Sequence, residues 1–192
     1  VGQTAPAPTA TAPTASLAYT ARITDLVTAR AQPGAGHSLG YVDSENPYWG
    51  GPNVLLVLDT ATVNGKPYLK VLLKRRPSGT AGWIPASAAK LATTRKRVIV
   101  DLSKRTLTLQ SEGRNVATTK AVVGKHSTPT PVGLFSVDAI VRQPRGSDLG
   151  PRVLAVTAFS DVMKSFGGGL PQMGIHGYEA LGDPLARFKA HL

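Results

Sequence analysis

The fold of the second half of this chain is decided by residues 97–123, which read RVIVDLSKRTLTLQSEGRNVATTKAVV. Apolar and polar side chains alternate there in three short runs, over residues 97–102, 106–109 and 116–123. A period of two is typical of strands that bury one face. Turn residues such as Glu112-Gly113 separate the runs. The pattern therefore predicts three successive strands.

The same pattern of short strands separated by turns occurs in the first half of the chain. Residues 54–58 are a continuous apolar run, and Asn64-Gly65 is a favoured hairpin turn because both residues tolerate positive φ. This turn predicts a hairpin between residues 61–63 and residues 68–73. The stretch Gly82-Trp83-Ile84-Pro85 predicts a further strand. Its Trp83 could line a ligand groove or fill the core, and the large area that a tryptophan buries favours the core.

The organisation of the chain follows from these runs. Residues 1–16 are almost all Ala, Pro and Thr, a composition that predicts a flexible, extended tether. A first β unit is expected over residues 17–96 and a second over residues 97–192. Helical periodicity is weak, although residues 161–166 and 184–190 could each form a short helix.

Composition excludes several classes of protein. With 192 residues, 42% hydrophobic and 17% charged, the chain can build a core, so general disorder is excluded. No apolar run approaches the ~20 residues that a membrane-spanning helix needs. The sequence contains no cysteine, which excludes a disulfide framework, a thiolate zinc site and a cysteine nucleophile within these residues.

The charge of the chain is strongly positive, with 22 Lys and Arg against 11 Asp and Glu, a net charge of +11. The tightest basic groups are Lys74-Arg75-Arg76 and Arg95-Lys96-Arg97. Neither is interleaved with aromatic residues, as a platform for single-stranded nucleic acid would be, so a nucleic-acid partner is not expected. The charge instead predicts a cationic surface that faces anionic cell-wall polymers or a membrane.

Five short motifs and one glycine follow one another in a fixed order. They are Val98-Ile99-Val100-Asp101, Arg105-Thr106-Leu107-Thr108-Leu109, Gly113, Val123-Gly124, Thr128-Pro129-Thr130-Pro131-Val132-Gly133-Leu134-Phe135 and Gly174-Ile175-His176-Gly177. Over residues 97–192 this order resembles the catalytic domain of L,D-transpeptidases, and Gly-Trp-Ile-Pro is similar to a strand of SH3-like barrels. The resemblance implies a mostly β protein, in which a small SH3-like β-barrel precedes an L,D-transpeptidase-type β-sandwich.

The resemblance also implies a chemistry. Members of the family are extracytoplasmic, in the cell wall or secreted, and cross-link peptidoglycan stem peptides by cysteine-dependent acyl transfer, without a metal or organic cofactor. His176 matches the general base of the family, and Gly177 matches the neighbour whose carbonyl orients the imidazole. The alternative is that His176 is a partly buried loop histidine with no chemical role.

The sequence departs from the family pattern at the nucleophile. The family places a Ser/Thr-His-Gly-Cys element beyond the first histidine, and that element is not present here. His191 is not a match, since it follows Ala190 and precedes Leu192. We therefore expect the sandwich to be incomplete at its C-terminus and the chain as given to be inactive. Truncation and a true non-catalytic relative both remain open, with the abrupt stop favouring truncation.

Two other functions are open from the residues alone. The two β units and the positive charge also fit a peptidoglycan-binding module that performs no chemistry. A metal site could use His176, Glu179, Asp183 and His191, which are suitable ligand types. That second reading is disfavoured because Gly182 and Pro184 interrupt any continuous helical face.

Overall fold

A computed structural model of the chain describes residues 10–166 and 168–177. Contacts among the described residues divide them into two compact units, the first with residues 10–14, 18–73 and 81–94, the second with residues 15–17, 74–80, 95–166 and 168–177. Within the described residues, the regular structure is β-strand apart from one 3-10 turn at Ala86–Ala88. The mostly β fold class is therefore confirmed. Residues 161–166 form no helix, and the possible helix at 184–190 lies outside the described residues.

The first unit is one antiparallel sheet of seven strands, in the order β3-β2-β6-β5-β4-β1-β7. Its strands are β1 (Ala18–Ile23), β2 (Val27–Gln32), β3 (Ala35–Val42), β4 (Val54–Val63), β5 (Lys66–Leu72), β6 (Ala81–Pro85) and β7 (Ala89–Thr94). The hairpin predicted at Asn64-Gly65 joins β4 to β5, with φ of 51° and 74° at the two turn residues. The predicted runs 54–58 and 61–63 belong to one strand.

The core of the first unit follows from the alternation of its strands. On β5, Leu69 and Val71 are buried while the intervening Lys70 is only half-buried. Residues with the same inward direction on the other strands complete one cluster, which includes Ala21, Ile23, Ala29, Leu55, Val57 and Ile84. The likeness of this unit to an SH3-like barrel stays a prediction.

Trp83 does not lie in the core, which the sequence had favoured. It is half-buried on β6, and its neighbour Ile84 points into the core with no exposed surface. Because successive residues of a strand face opposite sides, only one of the two can face the core. Trp83 pairs across the sheet with Arg30 and Lys70, and the Lys70 Nζ atom lies 6.0 Å from the centre of the indole ring. The expectation that Trp83 fills the core is wrong.

The described residues of the second unit form two antiparallel three-stranded sheets, β10-β9-β8 and β11-β12-β13. Their strands are β8 (Lys96–Asp101), β9 (Thr106–Ser111), β10 (Arg114–Lys120), β11 (Val137–Arg142), β12 (Arg152–Phe159) and β13 (Gln172–His176). The three predicted strands correspond to the first sheet, and Glu112-Gly113 forms the predicted turn, with φ of 53° and 78°.

Apolar side chains of both sheets meet in the core of the second unit. Leu107 and Leu109 of β9 form one cluster with Leu154 of β12, and Ile175 of β13 packs against it. Since each sheet buries one face against the other, this unit is a β-sandwich. The cluster also fixes which way β13 faces, because Ile175 is directed inward.

Part of the predicted tether is described. Ala10 is 3% exposed and belongs to the core cluster of the first unit. Its carbonyl oxygen accepts a hydrogen bond from Thr60 Oγ1 at 3.0 Å. Ala10 is therefore held against the first unit and is not part of a free tether. Residues 1–9 lie outside the described residues, and for them the flexible tether stays a prediction.

Candidate active site

His176 is the last residue of β13, and its imidazole is exposed. It pairs with Val153 of β12, and Ile175 pairs with Leu154. Because Ile175 packs into the core, the alternation of the strand directs His176 to the outer face of the sandwich. The alternative of a partly buried loop histidine is therefore wrong in its geometry: the residue belongs to a strand and its ring is exposed.

Gly177 holds the backbone directly after this histidine. Its N–H donates to the carbonyl oxygen of Leu149 at 2.9 Å, and Gly177 is buried. A Cβ at this position would lie 3.2 Å from Leu149 O and 3.3 Å from the Gly150 Cα. Only a residue without a side chain fits this close approach without displacing the loop. The loop between β11 and β12 therefore fixes the position of the Gly177 peptide.

The Gly177 carbonyl in turn orients the imidazole. His176 Nδ1 lies 2.6 Å from Gly177 O. A carbonyl oxygen accepts hydrogen bonds and does not donate them, so Nδ1 carries the proton of the neutral ring. The unprotonated nitrogen is then Nε2, at the outer end of the ring. A histidine held in this tautomer can accept a proton at Nε2, which is the property a general base requires.

A second predicted motif forms the connection between the two sheets. The N–H of Gly124 donates to Thr130 Oγ1 at 2.8 Å, and Thr128 N–H donates to Lys125 O at 3.0 Å. A Cβ at Gly124 would overlap the carbonyl oxygen of Thr128. The chain therefore folds back across Gly124, and this motif shapes the backbone, in keeping with its two prolines and its glycines.

Sequence reasoning missed a buried polar cluster at the start of β13. The Gln172 side chain donates from Nε2 to Asp138 Oδ2 at 2.8 Å. The other carboxylate oxygen of Asp138 pairs with Lys74, and the two charged side chains are 0% and 3% exposed. Burial lowers the pKa of Lys74, and the hydrogen bond and charge of Asp138 partly oppose this effect. β13 is thus anchored at its first residue by this cluster and carries His176 at its last.

The position of Lys74 corrects the interpretation of the first basic group. Lys74 is buried against Asp138, and Arg76 is half-buried, donating to the carbonyl oxygens of Ser160 and Met163. Within the group, Arg75 alone is exposed. Lys74 and Arg76 therefore serve the interior of the second unit, and the expectation of a cationic surface is wrong for Lys74.

Several candidates fall outside the described residues, namely Glu179, Asp183 and His191 of the possible metal set. Within residues 10–166 and 168–177, no group of three or more His, Cys, Asp or Glu side chains is placed to hold a metal ion. Over the same residues, no helix has the length and apolar character to cross a membrane.

Comparison with known proteins gives one informative match. No curated protein and no solved structure matches the chain. A family model does match, over residues 95–184, which contain the six described strands of the second unit together with His176 and Gly177. The resemblance read from the motifs is thereby confirmed for this part of the chain. Residues 95–184 are similar to the family described as YkuD, the L,D-transpeptidase catalytic domain.

Proposed function

We propose that this chain is an L,D-transpeptidase relative that acts on peptidoglycan, with His176 as the general base and Gly177 as the residue that orients it. The observation that carries the proposal is the 2.6 Å contact between His176 Nδ1 and Gly177 O. This contact leaves Nε2 as the proton acceptor on an exposed ring. The family match over residues 95–184 supports acyl transfer as the chemistry that such a base would serve.

The chain supplies the base of this reaction and not its nucleophile. In cysteine-dependent acyl transfer, a thiol gives its proton to the imidazole and its sulfur attacks the carbonyl carbon of the donor stem peptide. The thioester forms as the terminal amino acid leaves with a proton on its nitrogen. The 192 residues contain no cysteine, so this polypeptide performs no thioester step. We infer that it binds stem peptides without turnover.

The same proposal includes a location outside the cytoplasm, in the cell wall or secreted. Domains of this family are typically extracytoplasmic, and their substrate is found there. The Ala-, Pro- and Thr-rich residues before Ala10 support it, since a tether of this composition suits a domain that must reach a polymer.

A second candidate function is that of a peptidoglycan-binding module. The net charge of +11 favours it, because a positive charge attracts anionic cell-wall polymers over the range of the Debye length. In this function the sandwich is a scaffold and His176 makes no contribution. The two candidates therefore differ in whether stem peptides reach the imidazole.

One experiment separates the two functions. A tetrapeptide stem is titrated into the labelled protein, and the imidazole signals of His176 and of the exposed His37 are followed by NMR. A saturable shift at His176 with no shift at His37 supports the proposed site. Binding to purified sacculi with no shift at His176 supports the binding module. Acyl transfer between stems is assayed in parallel, and product formed by the 192-residue chain contradicts the inferred inactivity.

A further inference from the structure

The loop between β3 and β4 exposes two aromatic side chains. Residues 43–53, here called the aromatic loop, read DSENPYWGGPN. Tyr48 is 36% exposed and Trp49 is 46% exposed. Large aromatic rings in contact with water are costly to maintain, and they are enriched where proteins bind partners. The loop is part of the first unit and lies outside the residues matched by the family model.

A buried asparagine holds the tip of the aromatic loop. Asn46 is 4% exposed, and its Oδ1 atom accepts the N–H groups of Tyr48 at 3.0 Å and Trp49 at 3.4 Å. Its own N–H donates to Gly51 O at 2.8 Å, and its carbonyl oxygen accepts from Gly50 N–H at 3.1 Å. The backbone that carries both rings is thus fixed in position.

A second buried asparagine holds the base of the loop. Asn53 is also 4% exposed. Its N–H donates to Ser44 O at 2.8 Å and its Nδ2 donates to Asp43 O at 2.7 Å. Since both ends and the tip are tied by hydrogen bonds, the backbone that carries the rings loses little further freedom when a ligand packs on them. Such preorganisation raises affinity because less ordering entropy is lost on binding.

The aromatic loop is open at Gly51 and carries acidic residues. Gly51 adopts φ of +71°, and a Cβ built there meets no atom within 4 Å, so the backbone two residues beyond Trp49 borders open space. The aromatic loop contains Asp43 and Glu45 and no Lys or Arg, although the whole chain has a net charge of +11. An anionic polymer is therefore disfavoured at this loop, in contrast to the rest of the chain.

An uncharged sugar has the chemistry that fits this surface. The C–H face of a pyranose ring is apolar and packs flat against an indole or phenol ring, while its hydroxyl groups donate to carboxylates. A polymer of sugars presents this face repeatedly and suits an open platform better than a closed pocket.

We propose that the aromatic loop, through Trp49 and Tyr48, binds the glycan strand of peptidoglycan. The proposal rests on the proposed function only for the identity of the polymer. It assigns the glycan to the first unit, whereas the stem peptides are assigned to the second. The two units would then bind different parts of one substrate.

The test uses the fact that the chain has two tryptophans. In a Trp83→Phe variant of the full chain, Trp49 is the sole tryptophan, and its fluorescence is followed as N-acetylglucosamine tetramer is added. A saturable blue shift is expected. No change, or a change produced only by a stem peptide with a free amine, overturns the proposal.

A pulldown on chitin, an insoluble and uncharged polymer of N-acetylglucosamine, gives a second readout. Trp49→Ala is expected to weaken retention at least tenfold, and Tyr48→Ala to weaken it less. Tyr41→Ala, which removes an 80% exposed ring from β3 outside the loop, is the matched control and should bind like the unmodified chain. Equal retention of Trp49→Ala and Tyr41→Ala contradicts the proposal. The NMR shift of His176 with stem peptides is independent of this result, so failure of one proposal does not imply failure of the other.

Discussion

His176 and Gly177 form a contact between adjacent residues in which Nδ1 lies 2.6 Å from the carbonyl oxygen. The orientation of the imidazole therefore depends on a peptide group and not on another side chain. That peptide is itself fixed by the Leu149 carbonyl, which accepts the Gly177 N–H at 2.9 Å. The tautomer of the candidate base is thus coupled to the loop between β11 and β12.

Replacing Gly177 should disturb this tautomer. In Gly177→Ala the added Cβ must displace the backbone of Leu149 and Gly150, since it would lie within 3.4 Å of both. We expect a loss of about 1 kcal/mol in the free energy of unfolding and a population of the Nε2–H tautomer of His176. Long-range 1H–15N NMR of the imidazole measures the tautomer directly. Gly169→Ala is the control, because a Cβ there has its nearest neighbour at 4.0 Å. An unchanged Nδ1–H tautomer in Gly177→Ala would refute the coupling.

The hairpins of both units could be predicted from the sequence because their signals are local. At Asn64-Gly65 and Glu112-Gly113 the turn residues adopt positive φ, and the flanking strands alternate in polarity. A turn of this kind depends on its own residues more than on distant contacts. The orientation of His176 by Gly177 was predictable for the same reason, once the family resemblance had singled out the motif.

The environment of Lys74 was not predictable, because it depends on a contact between distant parts of the chain. In the sequence, Lys74 stands in a run of basic residues before a proline, which indicates a solvated segment. In the structure it is buried against Asp138, a residue on β11. No local pattern gives the partner of a buried charge, since the pairing is made by the tertiary fold. The same limit applies to Trp83, whose side of the sheet is set by Ile84.

Breaking the Lys74–Asp138 pair should destabilise the second unit strongly. Lys74→Met leaves a carboxylate with no exposed surface without its positive partner. We expect the free energy of unfolding to fall by about 3 kcal/mol, which is the low end of the range for a buried ion pair that loses one member. The double variant Lys74→Met/Asp138→Asn removes both charges and keeps an acceptor for Gln172, so it should recover most of that loss. Urea denaturation measures the stability of both variants. Equal stability of the single and double variants would show that the unpaired charge does not cause the loss.

The lowered pKa of Lys74 predicts a pH dependence of stability. The unfolded chain titrates this amine near its ordinary value of 10.5, whereas burial makes the folded protein release the proton at lower pH. Between the two values the unfolded state binds more protons, so stability rises with pH. The free energy of unfolding of the natural sequence, relative to the Lys74→Met/Asp138→Asn variant, should therefore increase as pH is raised toward 10.5. A relative stability that falls over this range contradicts the assigned direction.

Ser78 should contribute more to the stability of the second unit than its position beside a glycine turn indicates. Its Oγ accepts the N–H of Phe159 at 2.8 Å and lies 3.2 Å from the Phe159 carbonyl oxygen, to which it donates. Phe159 is fully buried at the end of β12, so water does not easily replace these bonds. Ser78→Ala is expected to cost about 1–3 kcal/mol, while Ser165→Ala, at an exposed serine of the same unit, should cost little. Hydrogen exchange at the Phe159 amide gives a local readout. It should accelerate in Ser78→Ala alone, and protection equal to that of Ser165→Ala would assign the serine no role in holding the end of β12.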